Sequence, residues 1–257
     1  MKNYNFPVAL QPIYTRTDAT PTRNEIPGRK AVVAQYTGAV LGIVSTKYTL
    51  LNHVDVVEGF RKALKGEEYV ETIKMAKNGA QLFATYSMPQ HQVEVAKGDI
   101  VSMQFIVKNS YDGTNALHIM LGAFRLVCTN GMMIGKRFFT FTQKHIGSEA
   151  EAIDAGKLKG TVKTIADNFT KALPVMQTMS QTTVFHPSDY FEPKKVRIPK
   201  YLLEAAKESY ESERDKSLWG VYNSLTWAIT HGMKKENPAM SVYYGQLVWK
   251  ETTKNLV

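Results

Sequence analysis

Polar and apolar positions alternate with period two through much of the first half of the chain, and recur at three- and four-residue steps through the second half. AVVAQYT (residues 31–37) and VLGIVSTKYTLL (40–51) read as two β-rich segments around the small pair Gly38-Ala39. Asn52 then stands where a helix N-cap belongs. Asp55 falls in the first turn, Val56, Phe60 and Leu64 repeat on one face, and Gly66 follows as a stop. YVETIKMAK and AQLFATYSM flank Asn78-Gly79, two residues that tolerate the positive φ at the centre of a type I′ hairpin turn. DIVSMQFIVKNS alternates Met103, Phe105 and Val107 with polar neighbours and runs into Tyr111-Asp112-Gly113-Thr114. There Asp-Gly predicts a second tight turn, with NALHIMLGAFRLVC as its return strand. KRFFTFTQKH alternates again, Phe139 and Phe141 on one side, Phe138 and Thr140 on the other.

After Gly147 the period changes. Ser148 and Glu151 fit a capping box, and Leu158, Val162, Ile165, Phe169, Leu173 and Met176 mark one long amphipathic helix, kinked or ended near Pro174. Residues 182–199 are punctuated by proline and read as a linker. Pro199 suits the first turn of a following helix, and Leu218, Tyr222, Leu225 and Ile229 mark the stripe of another, closed by Gly232. Residues 1–28 carry Pro7, Pro12, Pro21 and Pro27 and read as an arm with little regular structure. The organisation expected is an arm (1–28), a core domain (29–181), a linker (182–199) and a helical C-terminal region (200–257). The fold class is α+β: an antiparallel sheet of hairpins with one early helix and a long amphipathic helix, followed by a helical C-terminal part.

Composition narrows the function. A chain of 257 residues, 44% hydrophobic, can bury a full core, and no apolar run approaches the length of a membrane span. The start lacks the layout of a secretory signal, so a soluble protein of the host cytoplasm is expected, with no membrane partner. The formal charge is +9, and Lys and Arg outnumber Asp and Glu by 17 to 10 over residues 1–145. Such a balance favours polyanions.

Motifs for catalysis are sparse. Cys128, the single cysteine, ends an apolar strand with no local signature linking it to His118 or His145, and reads as a buried thiol. The six histidines show no metal-ligand spacing, and the glycines form no phosphate-binding loop, so neither metal nor cofactor is expected and an enzyme is the weaker class. Asp99 and Asp112 belong to turns. Arg125, inside an apolar run, needs a partner or water, and a structural ion pair, for instance with Asp112, is favoured over a phosphate contact.

What remains is cations interleaved with aromatics, the two parts of a single-strand groove. Lys74, Lys77, Lys108, Lys136, Arg137, Lys144 and His145 are the candidate phosphate contacts, and Tyr48, Tyr111 and Phe138 the candidate stacking rings. The bland alternative makes the rings core and the lysines solvated strand edges. Lys194-Lys195-x-Arg197 is either a phosphate clamp or a soluble linker. A second functional class uses the C-terminal helices and Trp219, Trp227, Tyr243, Tyr244 and Trp249 to engage a host protein.

Four ordered blocks carry a resemblance. Gly42, Val44, Ser45 and Tyr48 form the first; Asn109, Ser110, Asp112, Gly113 and Ala116 the second; Arg125, Val127, Cys128 and Asn130 the third; Lys144, His145 and Gly147 the last. Together they resemble the phage- and plasmid-encoded family known as domain of unknown function 932, over about residues 30–175. The resemblance implies a mobile-element setting and no established activity. The order of elements is also similar to the core of single-strand annealing proteins of the Rad52 and RecT-like kind. The expectation is a non-enzymatic protein that binds single-stranded DNA, with strand annealing in recombination or replication and assembly as a homo-oligomer as extensions of that role.

Overall fold

The structure, a computed structural model, describes residues 4–17, 20–125, 130–133, 140–147, 155–213, 215–234 and 237–256. It is α+β with two antiparallel sheets. The smaller holds β1 (Val8–Thr17), β2 (Thr20–Ala34) and β3 (Val40–Ser45) in that order. The larger runs β4 (Val70–Ala76), β5 (Gln81–Ala96), β6 (Asp99–Ser110) and β7 (Leu117–Arg125). Two short strands share the outer edge of β7: β8 (Asn130–Met133) beside residues 122–125 and β9 (Thr140–Gln143) beside residues 117–120. The helices are α1 (His53–Ala63), α2 (Ala155–Gln181), α3 (Lys200–Glu213), α4 (Leu218–His231) and α5 (Pro238–Thr253).

Several local expectations are corrected. The proline-bearing arm is a β-ribbon: Val8 pairs with Ala34 and Pro12 with Lys30. Its prolines misled because they sit where a sheet tolerates a missing N–H. Pro12 is on an edge strand, and Pro27 lies where β2 bulges between Glu25 and Lys30, the partners of Tyr14 and Pro12. The Asn-Gly connection is a four-residue loop closed by Ala76 and Gln81, with positive φ at Lys77, Asn78 and Gly79, rather than a two-residue turn. The Asp-Gly connection spans six residues, from Tyr111 to Ala116. Asn52 precedes α1 as expected, but its side chain donates to the Asp55 carboxylate instead of capping the backbone. α2 passes through Pro174 and continues to Gln181; the proposed capping box lies outside the described residues.

The period-two pattern of the large sheet gives two faces. On one, Leu82, Ala84, Tyr86, Met103, Phe105, Val107, Ile119 and Leu121 bury against Val56, Val57 and Phe60 of α1 and Ile165, Phe169 and Met176 of α2. Burying each such side chain contributes about 1.5–3 kcal/mol. The same core runs without a break into Phe191, Val196 and Ile198 of the expected linker and into α3 and α4. α4 is buried on nearly every side, from Leu218 through Thr226, so it is a central helix and not one with a single apolar stripe. The opposite sheet face is covered only in part: Val242 of α5 packs on Ile106 and Met120. No helix among the described residues is long and apolar enough to cross a membrane.

A buried ionic node ties the sheet to the C-terminal helices. Arg125, at the end of β7, donates from Nε to Asp99 Oδ1 at 2.7 Å, and its Nη1 reaches Glu213 of α3 at 3.4 Å. Trp219 of α4 donates from Nε1 to the other Asp99 oxygen at 2.7 Å. The structural role expected for Arg125 is met by Asp99 and Glu213, not by Asp112. Asp99, expected to serve a turn, instead serves partners far away in sequence. Asp99→Ala leaves a buried guanidinium without its nearest counter-charge and an indole N–H without an acceptor. It is expected to destabilise the fold by about 3–5 kcal/mol in urea denaturation, with Asp99→Asn milder; a loss below about 1 kcal/mol would show that the node is dispensable.

Candidate functional site

Three of the four sequence blocks meet at one end of the large sheet. Gly42 of β3 lies against the loop that follows β6, so close that a Cβ on it would stand 2.4 Å from Asp112 Cα and 2.7 Å from the Tyr111 carbonyl oxygen. Only glycine fits. Tyr48, just after β3, donates its hydroxyl hydrogen to the Ser110 carbonyl at 2.7 Å. The Thr49 N–H donates to His145 O at 2.9 Å and the Thr49 hydroxyl to Gly147 O at 3.2 Å. The His145 ring stacks on Tyr48, centroids 4.9 Å apart and planes 11° from parallel. Between these segments opens a cleft of about 340 Å³, with Arg29, Ser45, Asp112, Asn115, Lys144 and His145 among its lining.

Polar groups beneath the cleft hold the loops in place. His53, the first residue of α1, sits fully buried against Tyr111, ring centroids 3.8 Å apart. Its backbone N–H donates to the Tyr111 hydroxyl at 2.7 Å. The Gly79 carbonyl lies 3.1 Å from His53 Nε2 and Asn109 Nδ2 lies 3.0 Å from Nδ1. A carbonyl only accepts and an amide nitrogen only donates, so the proton is on Nε2 and the ring is neutral. Burial drives the His53 pKa down to about 3, against the opposing pull of the Gly79 carbonyl.

Asp112 goes the other way in effect. Burial pushes its carboxyl up, but donors outweigh this and hold it at about 2: the Thr114 hydroxyl and N–H on one oxygen, Lys77 at 3.0 Å and Gln81 at 2.9 Å on the other. The carboxylate is ionised and its acceptor positions are filled. His145 is 6% exposed; burial lowers its pKa, and Nδ1 lies 3.3 Å from the Thr49 carbonyl, which fixes the proton there. His145 is therefore a neutral, buried ring and not the surface cation expected of a phosphate contact.

The candidate residues divide. Strand register places Lys74 of β4 opposite Phe83, Phe83 opposite Lys108, Lys108 opposite His118, and His118 opposite Thr142. Opposed residues share a face, so Lys74, Lys108 and His118 form one row on the sheet face that α5 leaves partly open. Lys77 is exposed but held by Asp112, and Lys144 is exposed on the cleft rim. Tyr48 and Tyr111 are corrected: both are core residues with no ring face to offer a base, because both pack into the small core formed with β2 and β3. Lys136, Arg137, Phe138 and Cys128 lie outside the described residues. Of the aromatics proposed for a protein interface, Trp219 and Trp249 are buried and Tyr243 is exposed. Lys194 and Arg197 are exposed, while Lys195 lies over the Tyr190 ring, 4.1 Å from its centroid.

Sequence reasoning missed Arg29 and Phe83. Arg29 pairs with Ser45 across β2 and β3, a register that spacing along the chain does not show. Phe83, 4% exposed, is the apolar centre of the basic row and carries no signal of its own in the linear pattern.

Residues 40–248 match the family model described as Domain of unknown function (DUF932), and the chain belongs to that family. No curated protein and no solved structure matches it. The likeness to strand-annealing proteins thus rests on element order alone.

Two outcomes follow from this geometry. Above pH 6.5 His53 is neutral folded or unfolded; below it the unfolded chain takes up a proton that the folded state refuses until about pH 3. Stability is therefore expected to fall with pH through that window, by up to about 1.4 kcal/mol per unit from this group, and His145 acts in the same direction. His53→Gln is expected to cost about 1–3 kcal/mol at pH 7 and to give a shallower profile between pH 6.5 and 4 by equilibrium denaturation; profiles of equal slope would refute the assignment. Gly42→Ala forces β3 away from the Asp112 loop and is expected to cost about 1–3 kcal/mol, with the amide signals of residues 110–116 shifted in NMR spectra while those of α3 and α4 stay in place.

Proposed function

We propose that the protein binds single-stranded DNA across the open face of the large sheet, as a non-enzymatic member of its family. The observation that carries this reading is the row formed by Lys74, Phe83, Lys108 and His118. Neighbouring strands lie about 4.8 Å apart, so the row crosses the sheet with cations at intervals that an extended phosphate backbone can follow.

Lys108 adds a further argument. It is half-buried, burial lowers its pKa, and no carboxylate pairs with it among the described residues. A partly desolvated cation without a counter-charge is stabilised by an anion arriving from outside. Phe83 is too deep for full stacking, so affinity on this face comes mainly from phosphates and depends strongly on salt. Annealing of strands, and action as an oligomer, are extensions of the same reading, because a face that holds the backbone leaves the bases outward for pairing.

Fluorescence anisotropy with a labelled single-stranded oligonucleotide at several salt concentrations tests the proposal. Binding is expected at low salt, and the Lys74→Ala/Lys108→Ala double variant is expected to reduce the log–log salt slope by about 1.4, two contacts at about 0.7 each. Absence of binding at low salt, or an unchanged slope in a folded double variant, would reject it.

A further inference from the structure

The cleft where three family blocks converge is separate in its residues from the basic row, and it has features of its own. Arg29 and Lys144 are both exposed, both line it, and neither side chain has a hydrogen-bond or ion-pair partner among the described residues. The one carboxylate in the lining, Asp112, is already saturated by Lys77, Gln81 and Thr114. The cleft therefore presents two unmatched positive charges to an incoming ligand. Ile43 and Ile146, each 59% exposed, also line it and supply apolar surface in a cleft otherwise rich in polar groups.

The decisive feature is His145. Its Nδ1 proton is committed to the Thr49 carbonyl, and its buried Nε2 has no partner among the described residues. Buried polar atoms in folded proteins almost always have one. An unprotonated imidazole nitrogen is an acceptor, so the missing partner is an N–H or O–H donor. Tyr48 stacks on the ring and is itself tied to Ser110, so the ring stays in the cleft wall, and a donor reaches the buried Nε2 as the lining over it shifts on binding.

A ligand that answers all three features has an anionic group, a flat apolar face and a hydrogen-bond donor. We propose that the cleft binds one nucleoside monophosphate unit, its phosphate on Arg29 and Lys144, its base against Ile43 and Ile146, and an amino or hydroxyl group donating to His145 Nε2. A volume of about 340 Å³ is at the small end of ligand sites, which run from about 300 to 1,000 Å³, and suits a single unit. The same chemistry is presented by a free nucleotide and by the phosphorylated 5′ end of a strand. This inference does not rest on the sheet-face reading, since the two use different cations.

The test uses the full chain in isothermal titration calorimetry with deoxyadenosine 5′-monophosphate and, separately, inorganic phosphate. A parallel anisotropy experiment compares 5′-phosphorylated and 5′-hydroxyl forms of one oligonucleotide. Arg29→Ala and Lys144→Ala are surface changes expected to leave the fold intact, each weakening nucleotide binding about ten-fold or more. Binding of the free nucleotide assigns the cleft to a soluble ligand. A preference for the phosphorylated strand that Lys144→Ala removes assigns it to strand ends. The His145 Nε2 nitrogen-15 resonance is expected to shift on binding in either case. The proposal is overturned if neither probe binds, if inorganic phosphate binds as tightly as the nucleotide, or if the Arg29 and Lys144 variants bind like the parent chain. Each of these results leaves the salt-slope experiment on the sheet face free to succeed or fail by itself.

Discussion

The carboxylate of Asp112 organises the end of the large sheet. Ionised at neutral pH and held by Lys77, Gln81 and Thr114, it joins the loop after β4 to the loop after β6. It is also the residue against which Gly42 of β3 is pressed. Remove that charge and the two loops lose their side-chain link, leaving the Tyr111 N–H to Ala80 carbonyl bond at 2.8 Å between them. Arg29 is placed beside this junction by its pairing with Ser45 of β3, and the His145 ring by its stacking on Tyr48.

The junction is built from polar groups under a lid of aromatic rings, an arrangement with a cost and a use. Burying His53, Asn109 and Tyr111 away from water is unfavourable unless each finds a partner, and most of their polar atoms do. What such a network confers is uniqueness of geometry: hydrogen bonds of fixed direction specify one packing of two sheets where apolar surfaces alone would tolerate several. The Asp99, Arg125 and Trp219 node does the same at the far end of the sheet, where it sets the C-terminal helices. The two ends differ in one respect: the far node is closed on itself, whereas the near one leaves an imidazole nitrogen and two cations unmatched.

Much of the fold is legible in the linear pattern because its elements are long and their periods clean. β6, the early helix with its Val56 and Phe60 face, and the central helix ending at Gly232 all follow from side-chain spacing. The errors have specific causes. Pro12 and Pro27 obscured a ribbon because edge strands and bulges lack the ladder bonds that proline would break. Tyr48 and Tyr111 have cationic or polar neighbours in sequence, the surroundings of a surface ring, yet both turn into the small core formed with β2 and β3. Lys74 and Lys108 were found singly, and nothing in their spacing shows that they share a row.

The sequence alone determined most of the strands and helices between residues 29 and 232, the α+β class, the basic excess and membership of one family, since these depend on local periodicity, composition and ordered short blocks. Only the tertiary structure decided which cations stand together and which rings are buried. Strand register and the approach of β3 to the Asp112 loop set those relations, and both join residues tens of positions apart through contacts that leave no periodic trace along the chain.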